Sequence, residues 1–363
     1  MSLHRIPNLI TSRGIALGSA LLLCSAIGLA RPPESFALVF QNESTEPTET
    51  IPPDFPYWDH VTQRRYGGPT VIYLGGGWAL TARHVGYGEI ILGGMPTPPE
   101  RGIRHTLLNP DGTIADAVVF PLKQGYPLPD LPLLPIATRA PQTGDEILMI
   151  GFGRLRGDPI EWGAPGNRKT ALGWTENGEK RWGTNRVVDA EKWLRQNNYR
   201  TVSFTTHFDM VGDENSTAHE ASATIGDSGG AIFIKQDGQW LLVGLINSIG
   251  TTIAKPSQST ATGDITYSTD LTHYRSEILH WTRPDCANEV DDDGDGLIDY
   301  PEDPKCENPE DPNERPEARM STEWRTWGWA VVPLIVGSLA IAWGRQRQRT
   351  LNTPDSMSSL SAR

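Results

Sequence analysis

The sequence predicts an all-β fold for its central region, on three observations. Short β-branched and aromatic runs, "TVIYLG", "ADAVVFPL", "EILMIGFG", "RTVSFTT", "GAIFIK" and "WLLVGLINSI", alternate with turns of Gly, Pro, Asn and Asp from Tyr57 to about Pro284. That rhythm belongs to a barrel or a sandwich. A single helical pattern stands out, in "TDLTHYRSEILHWTRP": Asp270 can cap its first turn, Leu271, Tyr274, Ile278 and Trp281 share one face, and Pro284 stops it. The central region also contains no cysteine, so its core must hold by packing.

Each segment of the chain has its own signature. Residues 1–30 read as an export signal: His4, Arg5 and Arg13 precede the apolar run "GIALGSALLLCSAIGLA", with cleavage expected after Ala30. Leu23 occupies the place before Cys24 where a lipoprotein signal wants a small residue. Residues 31–56 are rich in Pro, Glu and Thr and suit a mobile leader or propeptide. Residues 57–284 form the β domain. Residues 285–323 are an acidic, Asp-rich stalk.

The segment 324–344 contains the uncharged run "WGWAVVPLIVGSLAIAW", flanked by Trp residues and followed by "GRQRQR". That is the pattern of a transmembrane helix with a basic cytoplasmic edge, leaving 345–363 as a cytoplasmic tail. The expected location is therefore a bacterial envelope or cell surface, membrane-anchored with the β domain outside the cytoplasm. A short apolar helix beside an arginine cluster also resembles bacterial C-terminal sorting tags, so a sorting protease is an expected partner. With Lys+Arg 32 against Asp+Glu 44 the net charge is −12, and no basic cluster marks the central region, which excludes nucleic acid as the main partner.

Chemistry concentrates in three places. In "ATIGDSGGAIF" Ser228 stands between an aspartate and two glycines just before a strand. A serine hydroxyl becomes a nucleophile only when a base removes its proton. "GGGWALTARHVG" delivers His84 at the end of a strand, where it can be that base. "DGTIADAVVFPLK" sets Asp116 immediately before an apolar strand, where its carboxylate can accept from the other ring nitrogen; Asp111, in the solvent turn "NPDG", is the alternative.

"LTARHV", "ADAVVFPL" and "GDSGGAIF" in this order, followed by "WLLVGLI" and a closing helix, resemble the trypsin-like (chymotrypsin-fold) serine proteases over residues 57 to about 283. The resemblance implies two six-stranded antiparallel β-barrels with a C-terminal helix. It implies a serine endopeptidase acting on protein or peptide substrates with no cofactor for catalysis. Ser228 would be the nucleophile, His84 the general acid and base, and Asp116 the orienting carboxylate. The N–H groups of Gly226 and Ser228 would form the oxyanion hole, Asp227 would stabilise the loop, and Ser222 would lie in the specificity pocket.

Departures from that pattern matter. No start of the "IVGG" kind follows a basic residue, so no new amine is evident to pair with Asp227, and the involvement of an activating protease is open. The cysteines that flank the family's histidine and serine are missing. Ser222 is no acid, so a preference for basic residues is not implied. An idle binding module and an esterase on the same scaffold remain alternatives.

In the stalk, "DDDGDGLIDYPE" has oxygens at the spacing of a calcium loop: Asp291, Asp293, Asp295, Asp299 and Glu302, with glycine sixth. A solvated acidic linker is the alternative. Cys286 and Cys306 remain once the signal is removed, and an oxidising compartment favours a disulfide between them.

Overall fold

The computed structural model describes residues 38–41, 48–65 and 67–314. The expected signal peptide, transmembrane helix and cytoplasmic tail lie outside these residues. No helix among the described residues is long and apolar enough to cross a membrane.

The second half of the β domain is a closed ring of six antiparallel strands. Its longest member, Arg181–Gln196, pairs through its first residues with Glu146–Gly151, from Arg181↔Gly151 to Arg186↔Glu146. Its last residues pair with Tyr199–His207, ending at Gln196↔Tyr199. The link is two asparagines, of which Asn197 has φ +53°, a conformation that Asn tolerates better than most residues. Ile265–Asp270, Gln239–Gly250 and Ala231–Gln236 complete the ring. Its inside is filled by Met149, Val187, Phe204, Ile232, Val243 and Ile246, all buried.

The first half differs from the expected second barrel. Val61–Gln63, Thr70–Gly75, Trp78–Thr81, Ile114–Pro121 and His105–Leu108 form a five-stranded sheet, while Ile90–Leu92 and Met95–Thr97 pair only with each other. This hairpin meets the sheet through the bridges Arg64↔Ile90 and Pro99↔Leu122, and its Ile90 and Leu92 share a buried core with Val71, Tyr73, Ala79 and Phe120. Pro96, Pro98 and Pro99 carry no N–H, so the segment cannot extend a continuous ladder.

A core shared by both halves joins Ile72, Leu74, Leu80 and Val119 to Leu148, Ile150, Phe233 and Leu245. Each such side chain contributes about 1.5–3 kcal/mol on full burial.

Two further expectations are corrected. The described parts of the leader, residues 38–41 and 48–56, pack on the domain: Val39–Phe40 pairs with Ala221–Ser222, Leu38 and Val39 are fully buried, and Phe55 packs edge-on to Phe233 and Trp240. Composition suggested mobility because its prolines and acids outnumber these few apolar side chains. The helix runs Arg275–Thr282, one turn later than its sequence start, because Asp270 spends its Oδ1 on the N–H and hydroxyl of Thr272. Leu271, Tyr274 and Ile278 are buried as expected, but Trp281 is 37% exposed and stacks on His105 at 3.6 Å. Tyr274 fastens the helix, its hydroxyl accepting from the Val202 N–H at 2.9 Å and donating to Asn109 Oδ1 at 2.8 Å.

Candidate active site

Strand Trp78–Thr81 lies against Ile114–Pro121 from Trp78↔Pro121 to Thr81↔Val118, and a 3-10 turn, Arg83–Val85, follows it. This register sets His84 beside Asp116, which lies inside the second strand rather than before it. Asp116 is 1% exposed, and both its oxygens are used on the histidine. Oδ1 accepts the His84 backbone N–H at 2.8 Å, and Oδ2 accepts the ring Nδ1–H at 2.6 Å. The carboxylate therefore fixes backbone and ring together. Asp111, the alternative, instead pairs with Arg200 and caps Thr113.

Asn247 was not singled out from sequence. Its Nδ2 donates to the Asp116 carbonyl at 2.9 Å and to Oδ2 at 3.2 Å, and its own Oδ1 accepts from Thr269 Oγ1. The available signal was one amide interrupting the apolar run "WLLVGLINSI".

Ser228 is half-buried, and its Oγ donates to the Asn247 carbonyl at 3.3 Å. His84, Gln196, Ser228 and Asn247 line one cavity of about 190 Å³. The glycines after the serine have steric causes. A Cβ on Gly229 would lie 2.1 Å from the Thr70 carbonyl oxygen, and one on Gly230 would lie 2.7 Å from that of Asp227. Gly226 has φ +103°, a conformation that glycine adopts freely. Among the described residues, the N–H groups of Gly226 and Ser228 donate to no protein acceptor.

Asp227 is fully buried, and three donors converge on it: the Gly153 N–H at 2.7 Å, the Thr224 N–H at 2.8 Å and the Thr224 hydroxyl at 2.9 Å. Donors alone suit an ionised carboxylate, whereas burial pushes its pKa up to about 7. Gly151 and Gly153 leave room for it, since a Cβ on either would come within 2.2 Å of its oxygens.

Ser222 is buried and lines a second cavity of about 450 Å³, which shares Ala223, Ile225 and Ile249 with the first. Sequence reading missed the ion pair there. Lys255 Nζ lies 2.5 Å from Asp264 Oδ2, with side chains 12% and 6% exposed. The lysine offsets the one acid lining this cavity.

The expected calcium ligands do not all converge. Asp291, Asp293 and Asp295 come together, but the Lys305 ammonium already pairs with the last two, at 2.8 Å from Asp295. Asp299 caps the N–H groups of Asn288 and Glu289 instead, and Glu302 is exposed and not part of the group. Spacing along a loop does not register a lysine three residues past its end. Cys286 and Cys306 form the expected disulfide, with Cα atoms 5.6 Å apart.

A second buried acid, Glu220, accepts from Asn185, Asp209 and Thr217, and burial pushes it from 4.5 up to about 7. A raised value means that the folded state holds a proton the unfolded chain has released. The resulting stability is full below about pH 4.5 and is lost as pH rises through 7. Glu220→Gln removes this dependence. Its unfolding midpoint relative to the parent protein should improve by about 3–6 °C between pH 5 and pH 8. A difference independent of pH would refute this titration.

The sequence matches no family model and no curated protein. Among solved structures, the chain is similar to neuropsin, a serine protease expressed in the limbic system of mouse brain. The two are 16% identical with a TM-score of 0.43, over 64% of this chain and 97% of that one. It is also similar to an inactive mutant of the murine norovirus NS6 protease, at 15% identity and a TM-score of 0.35, over 61% and 93% of the two chains.

Proposed function

We propose that this chain is a serine endopeptidase that hydrolyses peptide bonds through an acyl-enzyme on Ser228. The observation that carries the reading is the double hold of buried Asp116 on His84, in the same cavity as Ser228. With Nδ1 bound to Asp116, Nε2 is the nitrogen left to take the serine proton. Ser228 Oγ bonds to the substrate carbonyl carbon, the proton passes to His84, and the N–H groups of Gly226 and Ser228 receive the negative oxygen. His84 then protonates the departing amine, and water repeats the sequence to release the acid.

The substrate is a protein or peptide, and catalysis uses no cofactor. The cavity holding Ser222 takes the side chain before the cut bond, and the Lys255–Asp264 pair leaves it without the net negative charge that would select Arg or Lys. Asp227 is served by Gly153 and Thr224, so the active loop has support that does not require a new amine from an activating protease.

The test is incubation of the purified protein with an unfolded protein substrate. New amino termini should appear, and they should disappear with Ser228→Ala. Ester hydrolysis without peptide hydrolysis would instead assign an esterase, and no hydrolysis at all a binding module.

Export by residues 1–30 and anchoring by the apolar run at 327–343 belong to the same proposal, with the domain outside the cytoplasm and Arg345, Arg347 and Arg349 inside. Full-length protein should fractionate with membranes, and protein truncated before Trp324 should be released. Equal solubility of the two would remove the tether and leave removal by a sorting protease without support.

A further inference from the structure

We propose that a hard divalent cation, calcium in class, binds between the carboxylates of Asp303 and Glu314, beyond the loop that the sequence spacing marks. The proposal does not depend on the catalytic reading. Asp303 is 1% exposed and Glu314 fully buried, and their carboxylate oxygens lie within 4.8 Å of each other. Two ionised acids this close and this buried repel strongly unless a positive charge joins them. Among the described residues no lysine or arginine pairs with either; Lys305 goes to Asp293 and Asp295, and Arg275 to Glu289.

The oxygens themselves point to a ligand. Asp303 Oδ1 accepts the Lys305 N–H at 2.8 Å, whereas its buried Oδ2 has no hydrogen-bond partner. Buried carboxylate oxygens are ordinarily satisfied, so an orphan beside a second carboxylate calls for a cation or a proton. Glu314 accepts the N–H groups of Asp292 at 2.6 Å and Asp299 at 3.0 Å, one on each oxygen, which leaves each a further lone pair. These bonds and the disulfide hold the pair in place before any ion arrives, since the Cys306 N–H donates to the Asp303 carbonyl at 3.1 Å. The Cys306 sulfur is tied in the disulfide, so the side-chain donors are oxygens alone, the set that suits calcium over thiophilic metals.

The neighbouring loop is the poorer site. Asp291 gives its carboxylate to the N–H groups of Gly294, Asp295 and Gly296, and Asp293 and Asp295 already share the Lys305 ammonium. An ion there would have to displace a lysine.

Calorimetric titration of the chelator-treated full chain with calcium chloride tests the assignment, with thermal unfolding as a second readout. One site is expected, with a midpoint that rises with calcium. Asp303→Asn and Glu314→Gln should each weaken binding tenfold or more, while Asp293→Asn should leave it within twofold. A variant whose calcium-free midpoint matches the parent's is folded, so its loss of binding reads on the site. No binding by the parent at millimolar calcium would overturn the proposal and leave a shared proton between the two acids. Loss of binding in Asp293→Asn with retention in Asp303→Asn would overturn it in favour of the loop.

Discussion

Ser228→Ala is expected to abolish labelling by a fluorophosphonate and to lower peptide hydrolysis by on the order of a millionfold, and His84→Ala should do nearly the same. The two act as one unit, because the hydroxyl attacks only while a base takes its proton and the base has no other task. Asp116→Asn keeps the volume but loses the ionised acceptor. Its amide would offer N–H where His84 already donates twice, at 2.8 and 2.6 Å, so the ring turns or changes tautomer. A loss of about ten thousandfold follows, with the fold retained. Labelling that survives Ser228→Ala would move the nucleophile elsewhere. Near-normal turnover by Asp116→Asn would move the orienting role to another group.

Gly153→Ala should cost roughly 2–4 kcal/mol and at least a hundredfold in turnover. The added methyl would lie 2.2 Å from Asp227 Oδ2, 2.4 Å from its Cγ and 2.5 Å from Thr224 Oγ1. Neither neighbour can yield to solvent, since Asp227 is fully buried and Thr224 is 3% exposed. Moving Asp227 strips a buried carboxylate of its donors. It also shifts the chain between Gly226 and Ser228, whose N–H groups are assigned to the oxyanion. Gly94→Ala is the comparison: its Cβ meets nothing within 4 Å but its φ is +77°, so it should melt somewhat lower with turnover unchanged. Paired melting and turnover measurements decide, and a Gly153→Ala enzyme with parental turnover would detach Asp227 from the oxyanion site.

How much of this was legible beforehand varies with the reach of the interaction. Strands such as Thr70–Gly75 and Glu146–Gly151 were readable because a run of apolar residues between turn formers needs no distant information. The helix start was misplaced because Asp270 capped an earlier turn, which composition alone does not separate from a helix cap. The packing of residues 38–41 is not legible in sequence, because three buried residues carry little weight in a stretch dominated by Pro, Glu and Thr.

By itself the sequence determined that the centre is built of strands, that Cys286 and Cys306 are a natural pair, and that His84, Asp116 and Ser228 are the residues to follow. Each rests on properties written within a few residues: side-chain alternation, redox chemistry, and glycines next to a serine. Tertiary structure alone decided that Asn247 braces Asp116 across 131 positions and that Gly153 holds Asp227 across 74. It also decided that the first half forms a five-stranded sheet and a separate hairpin, that Lys255 offsets Asp264, and that Lys305 pairs with Asp293 and Asp295 while Asp303 and Glu314 are buried together. The reason is physical. Burial and charge pairing depend on which distant segments meet, and a carboxylate acquires its role from the donors and cations that folding brings to it.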